Sequence, residues 1–210
     1  QYSRSENERA SLDGIDPQRH EMTLPKLYNP LSGYLKDRFK CRVCKVTIDT
    51  GLSCPNRDGT KGVGGCDYCV SSVLLPKALA SGTDVKSQLD EGIAYVRGRH
   101  KAEKFIAYFQ VNTSTHAPLE ELEKLFRAAL IPEVACVAVS TRPDSLGDGV
   151  ISLLSEIKKE KPLWVELGLQ SANDATLERV NRGHTAAEFK DAVIRAAAAG
   201  IAAALSRKSL

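Results

Sequence analysis

Continuous apolar runs alternate along this chain with stretches in which apolar positions recur every three or four residues. Residues 104–111 (KFIAYFQV) are aromatic and β-branched, which favours a buried strand, and residues 134–139 and 163–169 have the same apolar character. An earlier run, residues 42–49 (RVCKVTID), predicts the first strand. Apolar strands separated by helical segments are typical of βα units on a parallel sheet, and we count four such units.

The segments between these strands carry helical periodicity. Helices are predicted over 84–99, after Pro118, over 148–158, after Asn173, and after a capping-box pattern formed by Thr185 and Glu188. Each predicted strand is followed by polar residues, in the cysteine-rich loop and in 110–115, 140–144 and 166–171. In parallel α/β folds the loops after the strand carboxyl ends carry the chemistry, so this placement indicates an enzyme.

Composition and charge exclude some classes of protein but do not identify a binding partner. The 210 residues carry a net charge of +3, which neither requires nor excludes an anionic substrate or RNA. No apolar run approaches the roughly 20 residues of a membrane-spanning helix, and no apolar signal-peptide core is present. We expect a flexible polar leader over 1–23, a core domain over 24–200 and an atypical tail over 201–210. A location in the cytoplasm or an organelle stroma or matrix, without secretion, is expected.

Five of the six cysteines fall between positions 41 and 69, and this crowding favours metal over disulfides. Cys54, Cys66 and Cys69 form C-x11-C-x2-C in a glycine-rich loop after the first strand. Thiolates suit iron–sulfur clusters or zinc, and three ligands on a four-iron cluster would leave one iron open. The sixth, Cys136, lies in an apolar strand and is expected to be a core residue.

A zinc ribbon is the alternative to an iron–sulfur cluster. Cys41 and Cys44 give C-x2-C-x21-C-x2-C together with Cys66 and Cys69, which is close to a zinc-ribbon spacing. A zinc ribbon would leave Cys54 without a role, and it would need Cys44 as a ligand although Cys44 lies within the first predicted strand. Spacing alone leaves both alternatives open.

Longer motifs resemble a known family. The chain contains CPNRDGTKGVGGCDYC, which is preceded by LYNPLSGYLKDRF and followed by YFQVNTSTHAP, STRPD and VELGLQSANDATLERVNRGH. In this order the motifs resemble the radical-SAM superfamily, in particular a bacterial-type group related to the elongator catalytic subunit. The resemblance runs from about Leu27 to Gly200. It implies an α/β fold, a partial TIM-like (βα) radical-SAM barrel with about four of six βα units. Relatives continue into a fifth strand, whereas Ile201 is followed here by AAALSRKSL, from which we expect no strand and a truncated barrel.

The resemblance also implies a set of site residues. Tyr68 would lie near the adenine of S-adenosylmethionine, Gln110 near its methionine end, and Ser140 and Arg142 near its ribose. Gln170 and Arg182 would hold the cofactor as a pair. The implied metal ligands are Cys54, Cys66 and Cys69, and the implied cofactor-binding residues are Tyr68, Gln110, Ser140, Arg142, Gln170 and Arg182.

Several of these polar residues also have structural interpretations. Gln110 and Ser140 would satisfy backbone groups at strand ends, and Arg182 would pair with an acid on a solvated face. Glu166 is either a partner of the cofactor or part of a salt bridge. His184, just before a predicted helix, is expected at the surface.

The implied activity is reductive cleavage of S-adenosylmethionine at a [4Fe–4S] cluster. The resulting 5′-deoxyadenosyl radical would abstract hydrogen from a substrate that the sequence does not identify, with RNA as a candidate. A flavodoxin or ferredoxin would supply the electron, and no separate catalytic residue is identified. The alternative is a non-catalytic fragment that binds an iron–sulfur cluster or zinc.

Overall fold

The computed structural model describes residues 28–69 and 84–206, so the predicted leader, residues 1–23, lies outside the described part. The elements follow one another as α1 (Leu31–Phe39), β1 (Val43–Ile48), α2 (Val85–His100), β2 (Lys104–Phe109), α3 (Leu119–Arg127), β3 (Val134–Thr141), a 3-10 turn (Pro143–Ser145), α4 (Asp148–Glu160), β4 (Leu163–Gly168), α5 (Asp174–Arg179), α6 (Ala186–Ala198) and β5 (Ala202–Ser206).

The strands form one parallel sheet in the order β1-β2-β3-β4-β5. The register pairs Ile48 with Phe109, Phe109 with Val139, and Thr141 with Leu167. All strand carboxyl ends therefore meet at one edge of the sheet, as the predicted βα pattern requires. The predicted α/β fold with a parallel sheet is confirmed, with five strands where four βα units were predicted.

Alternate residues of each strand face opposite sides of the sheet. On one side, Phe105 and Phe109 belong to the large core cluster, and the Phe109 ring meets that of Phe126 from α3 edge-on, with centroids 5.0 Å apart. On the other side, Ile106 and Cys136 pack with Leu35 of α1 in a smaller cluster. The prediction that Cys136 is a core residue is confirmed, whereas α1 was not predicted.

Polar side chains cap the starts of three helices, and the capping box among them was predicted. The Asp84 side chain accepts hydrogen bonds from the backbone of Lys86 and Ser87, and the Asn173 side chain accepts one from Thr176. Thr185 and Glu188 form the complete capping box of α6. These caps satisfy backbone donors that the first helical turn leaves unpaired.

The expectation that no strand follows Ile201 is wrong. β5 pairs in parallel with β4, from Trp164 with Ala202 to Gly168 with Ser206. A run of alanines has low strand propensity, so the side chains gave no signal. The decisive factor is the edge of β4, whose backbone donors and acceptors template an additional strand. Within the described residues, no helix combines the length and the apolar character needed to cross a bilayer.

Candidate active site

A cavity of about 300 Å³ opens at the carboxyl edge of the sheet. It brings together side chains from the cysteine loop, the ends of β2, β3 and β4, and the segment before α6. Its lining includes all nine residues that the resemblance implied as metal ligands or cofactor contacts, namely Cys54, Cys66, Tyr68, Cys69, Gln110, Ser140, Arg142, Gln170 and Arg182. The volume lies at the lower end of the range usual for small-molecule sites.

Hydrogen bonds within the cysteine loop determine its conformation. The carbonyl of Cys54 accepts hydrogen bonds from the amides of Arg57 at 2.7 Å and Asp58 at 3.1 Å. The Arg57 guanidinium donates through Nη2 to the carbonyl of Cys69 at 2.8 Å, which ties the two ends of the loop together. Gly65 has a φ of +86°, and a Cβ there would lie 2.9 Å from Arg57 Nε. Glycine at this position thus permits both the turn and the arginine contact.

The loop is also fastened to the segment between α5 and α6. The Asn181 side chain donates through Nδ2 to the carbonyl of Gly65 at 2.8 Å. The amide of Asp67 donates to the carbonyl of Val180 at 3.1 Å. In the opposite direction, Asn56 Nδ2 donates to the carbonyl of Asn181. Segments more than 110 residues apart in the chain therefore fix the position of the cysteines.

Cys66 has the most polar surroundings of the three loop thiols. Asn56 Nδ2 and Arg182 Nη1 each lie 3.6 Å from its Sγ atom. Burial alone would raise the pKa of Cys66, but the hydrogen bond and charge of Arg182, with hydrogen bonds from Tyr68 and Asn56, lower it overall. A thiolate is the form that binds metal, so these surroundings suit a metal ligand.

Arg182 and His184 form a buried pair under the cavity. The guanidinium donates from Nη2 to the carbonyl of Gly168 at 2.9 Å and from Nε to His184 Nε2 at 2.9 Å. His184 Nδ1 lies 3.1 Å from the carbonyl of Thr185, and Nε2 lies 3.1 Å from the carbonyl of Gly168. Burial and the charge of Arg182 lower the pKa of His184, so the ring is neutral at neutral pH.

One expectation is therefore corrected, and one alternative interpretation is excluded. His184 is not a surface residue, since only 5% of it is exposed, and Arg182 does not pair with an acid on a solvated face. The polar run before α6 resembled an exposed loop. Tertiary packing buries it because the cysteine loop and the end of β4 supply its hydrogen-bond partners.

Arg142 is 2% exposed and forms an ion pair with Asp144. Lys61 from the cysteine loop also contacts the Asp144 carboxylate, at 2.9 Å. Within the described residues, Arg142 Nη1 has no hydrogen-bond partner, although it is buried. The same holds for the Thr113 hydroxyl, which belongs to another residue of the cavity lining. Buried unpaired polar atoms are costly, so these atoms fit a polar ligand in the cavity.

Backbone conformation at two strand ends is unusual. Val111, just after β2, has a φ of +105°, and Gln170, just after β4, has a φ of +67°. Left-handed backbone is rare for residues other than glycine, and particularly so for β-branched valine. Both residues line the cavity, where such strain commonly accompanies ligand sites.

Glu166 belongs to an ion pair beside the cavity. Its carboxylate accepts hydrogen bonds from Lys45 Nζ at 2.8 Å and from the Tyr108 hydroxyl at 2.6 Å. Lys45 Nζ also lies 3.8 Å from the centroid of the Tyr108 ring. Glu166 does not line the cavity, so the structural salt bridge is the interpretation that the geometry supports.

The four-thiol zinc ribbon is not formed. Cys41 and Cys44 lie at the start of β1, whereas Cys66 and Cys69 lie beyond its carboxyl end. A strand rises about 3.3 Å per residue, so the two pairs are separated by much of the length of β1. In the described part of the chain, no three His, Cys, Asp or Glu side chains converge on a single-ion site. The thiolates of a four-iron cluster bind different irons and need no such convergence.

Sequence reasoning missed three residues that build this site, namely Asn56, Lys61 and Asp144. Asn56 and Lys61 lie between the cysteines, and Asp144 lies in STRPD. Their polar side chains inside the quoted motifs CPNRDGTKGVGGCDYC and STRPD were the available signal.

Comparison with known proteins is consistent with this geometry. The model of the family described as the radical SAM superfamily matches residues 54–206. The chain is 39% identical over 160 residues to YtqA of Bacillus subtilis (strain 168), covering 76% of this chain and 50% of that protein. It is 40% identical over 165 residues to YhcC of Escherichia coli (strain K12), covering 78% and 52%. The chain thus spans about half the length of these relatives.

Solved structures share the fold at low sequence identity. The Elp3 protein of the archaeon Methanocaldococcus infernus, with an N-terminal deletion, is 15% identical at a TM-score of 0.53, covering 78% of this chain and 37% of that one. The cobalamin-dependent S-adenosylmethionine radical enzyme OxsB, with aqua-cobalamin and S-adenosylmethionine bound, is also 15% identical, at a TM-score of 0.51. That match covers 76% of this chain and 23% of OxsB.

Proposed function

The chain belongs to the radical SAM superfamily, and from this we propose that it binds a [4Fe–4S] cluster through Cys54, Cys66 and Cys69 and uses it to cleave S-adenosylmethionine. Membership in the superfamily implies both cofactors. The observation that supports this assignment is one cavity whose lining includes the three thiols and all six side chains that the resemblance implies as cofactor contacts. When bound, these cofactors supply a 5′-deoxyadenosyl radical that abstracts hydrogen from a substrate.

The residues of the chain contribute binding and orientation. Three thiolates from one loop would leave one iron of a four-iron cluster free of protein ligands, and that iron would bind the amino and carboxylate groups of S-adenosylmethionine. Gln110 would contact the methionine end of the cofactor, and Ser140 and Arg142 its ribose. The support for Arg142 is its buried Nη1, which has no hydrogen-bond partner among the described residues.

The remaining contacts hold the other parts of the cofactor. Tyr68 would pack near the adenine, next to the last cysteine of the loop. Gln170 and Arg182 would hold the cofactor as a pair, since a Cβ on Gly168 would lie 2.8 Å from a side-chain nitrogen of each. Their side chains therefore meet above the end of β4.

The proposal also includes an electron donor and a substrate class. A flavodoxin or ferredoxin would supply the single electron, because the cluster must be reduced before the cofactor is cleaved. RNA is the substrate class to test first, on the resemblance to the group related to the elongator catalytic subunit.

Anaerobic reconstitution with iron and sulfide, followed by EPR of the reduced protein, tests the proposal. We expect a four-iron signal that changes when S-adenosylmethionine is added and that is lost in Cys66→Ala. The matched control is a Cys41→Ala, Cys44→Ala double variant, which should keep the signal because those thiols lie at the start of β1.

Other outcomes would contradict the proposal in distinct ways. A cluster signal unaffected by S-adenosylmethionine, with no 5′-deoxyadenosine formed, would identify a non-catalytic cluster-binding protein. Zinc bound through Cys41 and Cys44, with no cluster, would exclude radical chemistry.

A further inference from the structure

Asn56 lies directly behind one of the loop cysteines. It is 1% exposed, and its Nδ2 atom lies 3.6 Å from Cys66 Sγ. The same nitrogen donates to the carbonyl of Asn181. Since an amide nitrogen carries two protons, one is available for the carbonyl and the other for the sulfur.

The orientation of the Asn56 amide follows from its partners. A carbonyl oxygen only accepts hydrogen bonds, so the atom of Asn56 that faces the Asn181 carbonyl must be the nitrogen. That same atom faces Cys66 Sγ. The side chain therefore presents a donor, and not an acceptor, to the sulfur.

Two glycines hold the Asn56 side chain in this position. A Cβ on Gly62 would lie 2.6 Å from Asn56 Oδ1, and one on Gly183 would lie 3.0 Å from the same atom. The backbone carbonyl of Asn56 accepts a hydrogen bond from Gly65 at 2.8 Å. The close approach of these segments leaves the amide little freedom to rotate away from the thiol.

We propose that Asn56 is a positioning residue that raises the reduction potential of the cluster by donating an N–H···S hydrogen bond to Cys66 Sγ. The inference rests on the proposed function, because it requires a cluster on the three loop cysteines. Reduction adds negative charge that is shared with the ligand sulfurs, so a donor stabilises the reduced state more than the oxidised state. A higher potential makes the reduced cluster accessible to a weaker electron donor.

Replacing Asn56 distinguishes an effect on the reduction potential of the cluster from an effect on cofactor binding. Arg182 Nη1 also lies 3.6 Å from Cys66 Sγ, but Arg182 lines the cavity. A change at Arg182 would therefore alter both the sulfur and the proposed cofactor contacts. Asn56 does not line the cavity, so its replacement changes the hydrogen bond to sulfur without removing a proposed cofactor contact.

The test is an EPR-monitored redox titration of the reconstituted protein, without S-adenosylmethionine, in the wild type and in Asn56→Leu. Leucine has a similar volume and no donor. In Asn56→Leu we expect the ratio of reduced to oxidised cluster at a fixed potential to be several-fold lower than in the wild type. A tenfold change in this ratio corresponds to about 59 mV for a one-electron couple.

The matched control is Asn181→Gly. It removes the hydrogen bond from Asn181 Nδ2 to the Gly65 carbonyl, which joins the same two segments but does not touch a sulfur. Glycine accepts the left-handed backbone at this position, where φ is +51°. The midpoint potential of this variant should match that of the wild type.

The outcomes separate the two proposals. Failure of the wild type to assemble a cluster would refute the proposed function. A wild-type cluster whose potential is unchanged in Asn56→Leu, or shifts equally in Asn181→Gly, would overturn only the role of Asn56.

A spectroscopic measurement covers the case in which Asn56→Leu does not fold. Wild-type protein labelled with ¹⁵N at asparagine side-chain amides should show a ¹⁵N hyperfine coupling in pulsed EPR of the reduced cluster. Absence of that coupling would also overturn the inference.

Discussion

Arg142 and Asp144, two residues apart after β3, form a bidentate ion pair that is almost completely buried. Arg142 Nε lies 2.8 Å from Asp144 Oδ1, and Nη2 lies 2.8 Å from Oδ2. Only 3% and 2% of the two side chains are exposed. Since Lys61 reaches the same carboxylate, Asp144 connects the cysteine loop to the end of β3 and fixes the arginine at the cavity wall.

Replacing Asp144 with asparagine should therefore destabilise the fold. A buried guanidinium would lose its counter-charge, and breaking such a pair typically costs about 3–5 kcal/mol. The free energy of unfolding in urea measures this cost. The control is Glu156→Gln, which breaks the exposed pair with Lys159 and should change stability by less than about 1 kcal/mol. Equal losses in the two variants would contradict a structural role for the Arg142–Asp144 pair.

The same carboxylate predicts a pH dependence. Burial would raise the pKa of Asp144, but the hydrogen bonds and charges of Arg142 and Lys61 lower it overall. A lowered pKa in the folded state contributes stability above the unfolded pKa of about 3.9, and this contribution is lost as pH falls through the folded pKa. Unfolding between pH 6 and pH 3 should show a smaller loss of stability in Asp144→Asn than in the wild type. A parallel decline would count against this linkage.

Gly168→Ala should impair binding of S-adenosylmethionine. A Cβ at this position would lie 2.8 Å from Arg182 Nη2 and 2.8 Å from Gln170 Nε2, so both side chains would have to move. We expect the reconstituted variant to assemble its cluster but to bind the cofactor at least tenfold more weakly, as measured by calorimetry. Affinity equal to that of the wild type would show that the positions of Gln170 and Arg182 do not govern binding.

Two glycines of α2 should respond differently to replacement by alanine. A Cβ on Gly92 would overlap the Val46 side chain of β1, whereas one on Gly98 would meet no atom within 4 Å. Gly98→Ala should stabilise by about 1 kcal/mol through helix propensity. Gly92→Ala should be less stable than Gly98→Ala by about 1–3 kcal/mol, because overpacking forces β1 and α2 apart. Thermal or urea unfolding of the pair measures the difference, and similar stabilities would mean that the contact relaxes freely.

Lys45→Met should destabilise by about 1.5–3 kcal/mol, the usual range for hydrogen bonds to charged groups. It removes the ammonium that lies 2.8 Å from Glu166, a carboxylate that is 17% exposed. A Lys45→Met, Glu166→Gln double variant should recover part of the loss, since no unpaired charge then remains. Urea unfolding of the single and double variants checks this, and the absence of recovery would show that packing, rather than charge, accounts for the effect.

The sequence by itself determined the features that depend on neighbouring residues. The aromatic and β-branched run of β2 matches a buried strand, and Thr185 with Glu188 gives the capping box of α6. The cysteine spacing and the polar residues after each strand predicted a site at the carboxyl edge. This succeeded because strand ends in a parallel sheet converge whatever the details of packing.

Only the tertiary structure decided which distant groups meet. Asn56 and Asn181 are 125 residues apart, and Arg182 and Cys66 are 116 apart, so no local pattern specifies either contact. The burial of His184 depends on the same packing of loop against loop. β5 forms from an alanine run with low strand propensity because β4 offers it a pairing edge. Local pattern fixes which elements form, whereas hydrogen-bond partners supplied by remote segments fix how the site is completed.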